Sequence, residues 1–217
     1  DAMIIAQKNV IHTINGYSAQ SPPGWNGMYD IFNEPEYYFY MIRWIQQHHL
    51  ENDQLCFLDL TTGNWLTGKN LRSSLQERLI LMSSPLENAN FAVHLSAEEV
   101  PFQWRKSEMR QCTLRVKNNG KVILSSVGND FNNPGKYAIR LSSRWVDAGS
   151  AVPLSEFENR TSLPRMIKPS EEITMNMIIN APSKPGKYWL EIEAIQEWVA
   201  WFKDKGCPGI RINVDVR

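Results

Sequence analysis

The chain has 217 residues, of which 42% are hydrophobic and 21% charged, an ordinary globular composition that corresponds to one large domain or two small ones. Its 23 basic and 23 acidic residues give a formal net charge of zero, which argues against nucleic acid as a partner and against a polybasic membrane patch. No apolar run approaches the roughly 18 residues that span a bilayer, and no signal peptide is recognisable.

Residues 1–97 are predicted to form a small α/β subdomain. Glu34–Leu50 is predicted to be an amphipathic helix, because Asn33 suits its N-cap, Pro35 suits its first turn, and apolar residues recur at helical spacing. The other predicted elements are a helix at Asn70–Leu81 and short apolar strands at Val10–Ile14, Leu55–Leu60 and Phe91–Leu95.

Residues 98–217 are predicted to form an all-β sandwich of about seven strands. Met109–Lys117 alternates apolar and polar residues, as a half-buried strand does, and Asn118 begins an Asn-Asn-Gly turn. Prolines scattered from Pro153 to Pro208 leave no window for a regular helix. The chain is therefore predicted to be an α+β protein of two domains. The remaining predicted strands are Val100–Trp104, Tyr137–Val146, Val152–Leu154, Ile173–Ile179, Tyr188–Ile195 and Ile210–Val216.

Short motifs follow one another in the second half: Val-Lys-Asn-Asn-Gly at 116–120, Leu-Ser-Ser-Arg-Trp at 141–145, Arg-Thr-Ser-Leu-Pro at 160–164, Lys-Pro-Ser-Glu-Glu at 168–172 and Pro-Gly-Lys-Tyr at 185–188. In this order they resemble a bacterial immunoglobulin-like module found at the ends of glycosyltransferases and related envelope proteins. They are also similar to the tryptophan-marked Ig-like domain of some autophagy receptors. Ser170 departs from the family, which usually has glycine there, and Leu124 stands where tryptophan is common.

The segment 13–25 reads Thr-Ile-Asn-Gly-Tyr-Ser-Ala-Gln-Ser-Pro-Pro-Gly-Trp. It is similar to the stretch just after the last membrane span of bacterial polytopic glycosyltransferases of the GT-C type. The resemblance implies an extracytoplasmic C-terminal region, periplasmic or on the outer face of the inner membrane, tethered to a membrane-embedded region of the same polypeptide. Because the chain begins Asp1-Ala2-Met3, we expect it to be a piece of a longer protein. Candidate ligand-binding residues in this segment are Asn15, Tyr17, Ser18 and Trp25.

The order of motifs ends with Gln196-Glu197 and Trp201-Phe202. Three aromatic residues at this end, Trp198, Trp201 and Phe202, allow two interpretations. Aromatic faces pack on the C–H faces of sugar rings, so the three residues are candidates for a sugar-stacking platform. Alternatively they pack against the core or the other domain, which is the commoner arrangement. Trp145, at the end of a predicted strand, is expected in the core.

Catalytic motifs are missing from the sequence, including G-x-S-x-G, Walker, G-x-G-x-x-G and H-E-x-x-H patterns. Asp59 lies at the end of a predicted buried strand, a position often held by catalytic acids, but no second carboxylate is placed beside it by the sequence. Glu191 and Glu193 share one face of a predicted strand and are interpreted as solvated. Cys56, Cys112 and Cys207 lack metal-ligand spacing, and Cys112 and Cys207 either pair or, as favoured here, remain free thiols.

The sequence therefore favours a non-catalytic region that contacts a glycan, an acceptor or an envelope partner protein and needs no cofactor. The alternative is a protein-interaction module without sugar binding, in which an exposed edge strand pairs with another subunit. A third possibility is a small hydrolase within residues 1–97 that uses Asp59.

Overall fold

The computed structural model describes residues 56–58, 63–67, 83–128, 133 and 135–217, together with Ile45 and His49. The chain divides into two compact units, Asp1–Ile80 and Leu81–Arg217. Within the described residues, no helix is long and apolar enough to cross a membrane.

In the first unit, strand β1 (Cys56–Leu58) pairs in antiparallel fashion with strand β2 (Trp65–Thr67). The strand predicted at Leu55–Leu60 is thereby confirmed over its centre, whereas β2 was not predicted. Ile45 is helical and buried, and His49 is exposed in a turn. The α/β subdomain stays a prediction. The segment predicted as its last strand, Phe91–Leu95, belongs instead to a strand of the second unit, Val93–Glu99. Apart from Ile45 and His49, its other predicted elements, the segment 13–25 and Asp59 lie outside the described residues.

The second unit contains two sheets. The smaller sheet has the order β3-β5-β8 and is antiparallel throughout. The larger sheet has the order β4-β11-β9-β6-β7, with β10 paired to the end of β9, and only β4 and β11 run parallel. The strands are β3 (Val93–Glu99), β4 (Gln103–Trp104), β5 (Met109–Asn118), β6 (Ile139–Asp147), β7 (Glu158–Ser162), β8 (Glu172–Asn180), β9 (Gly186–Gln196), β10 (Ala200–Trp201) and β11 (Ile210–Val216).

The two sheets bury one continuous core between them. Alternate apolar side chains of each long strand point inward, since successive residues of a strand face opposite sides. Trp145 lies in this core, as predicted: its ring meets Trp104 and Tyr188 edge to face at 5.4 and 6.1 Å, and its Nε1 donates to the carbonyl of Asn180 at 2.7 Å. The all-β sandwich is thus confirmed.

The strand order is that of an immunoglobulin-like sandwich, with β3, β5 and β8 in one layer and β11, β9, β6 and β7 in the other. Two further hallmarks of that fold are present. A buried tryptophan, Trp145, lies on the third core strand, β6. Near the start of β9, the Tyr188 hydroxyl donates back to the Lys184 carbonyl at 3.0 Å, the arrangement called a tyrosine corner.

Several boundaries differ from those predicted. The division at residue 97/98 falls inside β3, which pairs with β5 from Val93 to Glu99, so the second unit begins earlier. Val152–Leu154 is not a strand but makes a single bridge, from Pro153 to Val146, because proline lacks the N–H that a ladder needs. Strands β7 and β10 were not predicted.

Two residues, Leu124 and Ser170, depart from the motifs that the sequence resembles, and the structure describes the surroundings of both. Leu124 is fully buried and bridges to Ile167. Ser170 has a φ of +65°, the left-handed region in which a side chain is strained and glycine is not. Glycine at this position would therefore fit the backbone better than serine.

Candidate functional site

The strongest candidate for a binding surface is the turn between β9 and β10. Glu197, Trp198 and Val199 form this turn, which the Val199 N–H closes by donating to the Gln196 carbonyl at 3.1 Å. Trp198 is 75% exposed and Val199 is 40% exposed, so the tip of the hairpin is apolar and faces solvent. We refer to residues 197–199 as the aromatic tip.

Trp198 has a φ of +65°. A bulky residue in the left-handed region is a rare exception, because its Cβ crowds the following carbonyl. One residue therefore combines backbone strain with a solvent-exposed indole. Backbone strain of this kind is often kept at functional sites. The structure offers no packing reason for a tryptophan here.

Left-handed residues other than glycine cluster around Glu197. The Tyr137 N–H, on a residue with φ +71°, donates to the Glu197 carbonyl at 3.0 Å. Asn159, with φ +56°, directly precedes Arg160, whose Nε donates to the Glu197 carboxylate at 2.9 Å. Three of the left-handed residues, Tyr137, Asn159 and Trp198, thus lie in or around the aromatic tip.

Arg160 on β7 is the hub that fixes this base. Its Nη1 donates to the Ser142 hydroxyl at 2.7 Å and to the Phe157 carbonyl at 3.1 Å, while its Nε holds Glu197. Its guanidinium also lies 4.7 Å from the centre of the Trp201 ring. A planar group with several fixed donors can satisfy all of these contacts at once, which a lysine cannot do.

The Trp201 ring is half-buried and already covered by the protein. Phe157 packs beside it with ring centroids 4.7 Å apart, and Arg160 and the Lys203 ammonium, at 5.8 Å, lie over it. Trp201 therefore supports the tip and is not a free stacking surface.

Phe202 does not belong to the surface. It is fully buried and packs edge to face on Phe91 at 5.0 Å, and its N–H donates to the Ala194 carbonyl at 3.0 Å. The platform predicted from Trp198, Trp201 and Phe202 is thereby reduced to Trp198, with Trp201 beneath. The candidates Asn15, Tyr17, Ser18 and Trp25 lie outside the described residues.

Charged side chains extend from the tip across the outer face of the larger sheet. Arg144 and Arg211 clamp Glu191 between them, with Nε to Oε2 at 2.7 Å and Nη2 to Oε1 at 2.5 Å, and Arg211 also lies over the Trp189 ring at 4.5 Å. Burial alone would raise the pKa of Glu191, but hydrogen bonds from both arginines outweigh it and lower that pKa. Glu191 is therefore a clamped anion and not the solvated residue that the sequence indicated.

Glu193 also departs from its interpretation as a solvated residue, since it is only 5% exposed. Burial raises the pKa of its carboxyl, against backbone N–H groups of Gly209 at 3.0 Å and Ala194 at 3.1 Å that favour the charged form. Both carboxylate oxygens thus bind backbone and fasten the segment before β11 onto β9. This geometry assigns Glu193 an anchoring role.

Two cysteines of the second unit are free. Cys112 is buried, which raises the pKa of its thiol to about 11, and the Cys207 sulfur exchanges hydrogen bonds with the Val93 backbone at 3.1 and 3.2 Å. The favoured interpretation of free thiols is confirmed for this pair. Among the described residues, no three His, Cys, Asp or Glu side chains come close enough together to hold a metal ion.

Sequence reasoning missed Arg160, Phe157, Tyr137 and Lys203 as neighbours of the aromatic tip. These residues lie on separate segments of the chain. Phe157 and Arg160 come close to the aromatic tip because β7 pairs with β6. The single available signal was Arg160 at the head of the Arg-Thr-Ser-Leu-Pro motif.

No protein-family model matches the chain, and no curated protein matches it. Among solved structures, a β-glucosidase from Listeria innocua in complex with glucose is 13% identical, with a TM-score of 0.36 over 58% of this chain and 16% of that chain. The CARDB domain of PF1109 from Pyrococcus furiosus is 13% identical, with a TM-score of 0.36 over 57% of this chain and 91% of that chain.

The alkylpurine DNA glycosylase AlkC from Pseudomonas fluorescens, bound to DNA containing an abasic site analog, is 5% identical with a TM-score of 0.38. It is matched over 58% of this chain and 30% of that chain. This chain therefore spans only a small part of the glucosidase and of the glycosylase. Likenesses of this size carry no argument about what the chain does.

Proposed function

We propose that residues Leu81–Arg217 form a non-catalytic recognition module that binds a glycan through the aromatic tip. The observation that carries the proposal is Trp198, a 75% exposed indole on a left-handed backbone. An exposed indole provides a flat apolar face for sugar C–H groups, and the adjoining Glu197 carboxylate and Arg160 guanidinium provide hydrogen-bonding groups for hydroxyls.

The wider context of the proposal comes from the sequence. The similarity of segment 13–25 to GT-C-type glycosyltransferases, together with the ordered Ig-like motifs, supports an extracytoplasmic C-terminal region tethered to a membrane-embedded glycosyltransferase. In that setting the module would hold a glycan or an acceptor near the transferring region while the chemistry takes place elsewhere. Reading the gene's full coding sequence tests this context, because a run of hydrophobic spans upstream is expected and its absence would contradict it.

Titration of the chain with envelope oligosaccharides, followed by the NMR signal of the Trp198 indole N–H, tests sugar binding. We expect saturable shifts at Trp198, and a loss of affinity of about two- to tenfold in Trp198→Ala, since stacking on an aromatic is worth about 0.5–1.5 kcal/mol. Phe102→Ala is the matched control, because Phe102 is also exposed, at 70%, and lies in the same unit. Equal affinity in the two variants, or no shift with any oligosaccharide, would overturn the sugar-binding proposal.

A second candidate is a protein-interaction module of an envelope complex without sugar binding. It is favoured by Val199, which extends the exposed apolar surface beside Trp198, because tryptophan next to aliphatic surface is typical of protein interface anchors. Crosslinking at residue 199 in the native envelope distinguishes the two: a protein adduct lost in Trp198→Ala supports this candidate, and a glycan adduct contradicts it.

A further inference from the structure

Five strands of the sandwich, β3, β4, β7, β8 and β10, have a paired neighbour on one side only. All but β8 carry features that discourage pairing with another strand, and β10 has only two residues. The register of β3 shifts between Ala97 and Glu99, and that of β7 shifts between Leu141 and Ser143 of its partner. Strand β4 has only two residues and follows Pro101. Bulges, short length and neighbouring proline are the usual devices that protect edges from association.

Strand β8 is neither short nor bulged, and the nearest prolines, Pro169 and Pro182, lie outside it. It has nine residues, Glu172–Asn180, and pairs with β5 without any register shift. Its sequence, Glu-Ile-Thr-Met-Asn-Met-Ile-Ile-Asn, contains no proline, glycine, lysine or arginine, and Glu172 is its only charged residue. Ile178 on this strand is 58% exposed. A long, regular, weakly charged edge is what strand pairing between molecules requires.

The hydrogen-bonding groups of this edge can be assigned from the ladder. The Asn118 N–H donates to the Glu171 carbonyl at 2.9 Å, and hydrogen-bonded pairs alternate in an antiparallel ladder. The odd-numbered residues of β8 therefore bond to β5, while the N–H and C=O groups of Thr174, Asn176 and Ile178 point away from it. Within the described part of the chain, no hydrogen bond reaches these outward backbone groups.

We propose that β8 pairs with β8 of a second copy of this chain, in antiparallel fashion, about a two-fold axis at Asn176. Asn176 is the midpoint of Glu172–Asn180, so this register overlaps the strand over its full length. The two smaller sheets join into one continuous sheet of six strands. The inference is independent of the glycan-binding proposal, since it uses another sheet and other residues.

The self-paired register is complementary in charge and shape. Each Asn176 faces its own copy, Thr174 faces Ile178 of the other copy, and Glu172 faces Asn180. No like charges stand opposite each other, and the β-branched Thr174–Ile178 pairs meet across the new ladder, an arrangement that favours pairing. The formal net charge of zero adds no general repulsion between copies.

Sedimentation velocity of the whole 217-residue chain tests the proposal. Concentrations from about 1 to about 500 µM are appropriate, because an edge-to-edge contact lies at the small, weak end of specific interfaces. We expect the monomer to give way to a dimer within this range. A chain that stays monomeric at every concentration overturns the proposal.

Two variants at the axis locate the contact. Asn176→Asp keeps the acceptor for the Thr113 hydroxyl, now 3.1 Å from Oδ1, but places two carboxylates face to face in the dimer. Asn176→Pro removes the outward N–H and no bond to β5, which an edge strand tolerates. Each should raise the dimer dissociation constant about tenfold or more.

Gln111→Glu is the matched control, because Gln111 lies opposite Ile178 on the interior strand β5, on the same face of the sheet. It makes the same amide-to-carboxylate change one strand further from the axis and should leave the dissociation constant within about twofold. Circular dichroism of all variants at high dilution confirms that the monomer is folded. A dimer that survives both Asn176 variants, or that Gln111→Glu weakens equally, overturns the assignment to β8.

Discussion

Trp198 and Ser170 share a backbone conformation that neither side chain favours, with φ values of +65° at both. At Ser170 a sequence signal was available, because the Ig-like modules that residues 98–217 resemble usually carry glycine in this turn. At Trp198 no sequence pattern indicated it, since the left-handed turn depends on how β10 folds back on β9. The same backbone strain therefore occurs in a turn without an exposed aromatic, at Ser170, and in a turn that presents an exposed indole, at Trp198.

Replacing Trp198 by glycine should stabilise the protein and weaken glycan binding. Glycine relieves roughly 1 kcal/mol of left-handed strain, and an indole that is 75% exposed contributes little burial. Urea denaturation and the oligosaccharide titration measure the two effects. Trp198→Ala should also weaken binding but gain no stability, since alanine keeps its Cβ.

Ser170→Gly is the matched control for that pair of effects. It should gain a similar free energy of unfolding, about 1 kcal/mol, and leave oligosaccharide affinity unchanged, because Ser170 lies in another turn. If Trp198→Gly were no more stable than Trp198→Ala, the argument from backbone strain would fail.

Glu193 should make stability depend on pH. Burial raises the pKa of its carboxyl in the folded state, so between the unfolded pKa, about 4.3, and the raised folded pKa only the folded chain keeps the proton. Stability from this group therefore falls as pH rises through that window. Relative to Glu193→Gln, the wild-type free energy of unfolding should increase as pH is lowered from 7 to 4. If the difference in free energy of unfolding between the wild type and Glu193→Gln does not change across this range, the raised pKa of Glu193 in the folded state would be contradicted.

Secondary structure could be predicted well where strands alternate. Ile210–Val216 was predicted to the residue, and the strands now seen at Met109–Asn118 and Glu172–Asn180 to within one residue at each end, because one buried face imposes a period of two. Strand β7, which reads Glu-Asn-Arg-Thr-Ser, has no apolar face and is held by its partner β6. This segment forms a strand because it pairs with β6, and no local sequence pattern encodes that pairing.

The candidate site was predictable only in part for the same reason. That aromatics gather near residues 198–202 could be read from the sequence. Which of them faces solvent could not, because the turn at 197–199 breaks the alternation, leaving Trp198 outside while Phe202 enters the core. Arg160, the hub of the site, comes from a strand that local patterning missed.

Arg160 should be the residue that holds β7 and the aromatic tip together. Arg160→Ala removes three hydrogen bonds and the contact with the Trp201 ring, and should lower the free energy of unfolding by about 2 kcal/mol. Arg160→Lys should recover little of it, because an ammonium cannot reproduce the planar set of donors. Hydrogen exchange should quicken first in β7 and at residues 197–199.

Arg165→Ala provides the comparison. Arg165 pairs with Glu171 at 2.6 Å in an exposed position, and exposed pairs contribute from zero to about 1 kcal/mol. A loss in Arg165→Ala as large as that in Arg160→Ala would contradict the central role given to Arg160.

At the scale of the whole molecule, the sandwich begins before its first strand. The segment at 83–87 is fixed to β9 by the fully buried Gln196, whose amide donates to the Ser84 carbonyl at 2.8 Å and accepts from the Leu86 N–H at 2.9 Å. The same amide donates to the Tyr137 carbonyl at 3.1 Å. One side chain thus joins the start of the second unit, the loop before β6 and the base of the aromatic tip.

Gln196→Met, which keeps the length of the side chain, should lower the free energy of unfolding by about 1–3 kcal/mol, because three part-buried backbone groups lose their hydrogen-bond partner. Limited proteolysis should then cut within residues 83–87 before any strand is released. Gln103→Met, at an exposed position on β4, should change neither stability nor the cutting pattern. Resistance of 83–87 in Gln196→Met would show that the segment is held by other contacts.

The Gln196 amide also has a mechanical consequence. A pull transmitted along the chain from upstream first reaches the hydrogen bonds of Ser83 with Ser125 and Val127, then those of Ser84 and Leu86 with Gln196, before it reaches any named strand of the sandwich. After the Ser83 bonds, the two bonds that join Gln196 to this segment would yield, and their rupture would loosen the base of the hairpin that presents Trp198. Tension on the polypeptide would thus alter the position of the exposed indole while the core between the two sheets stays packed.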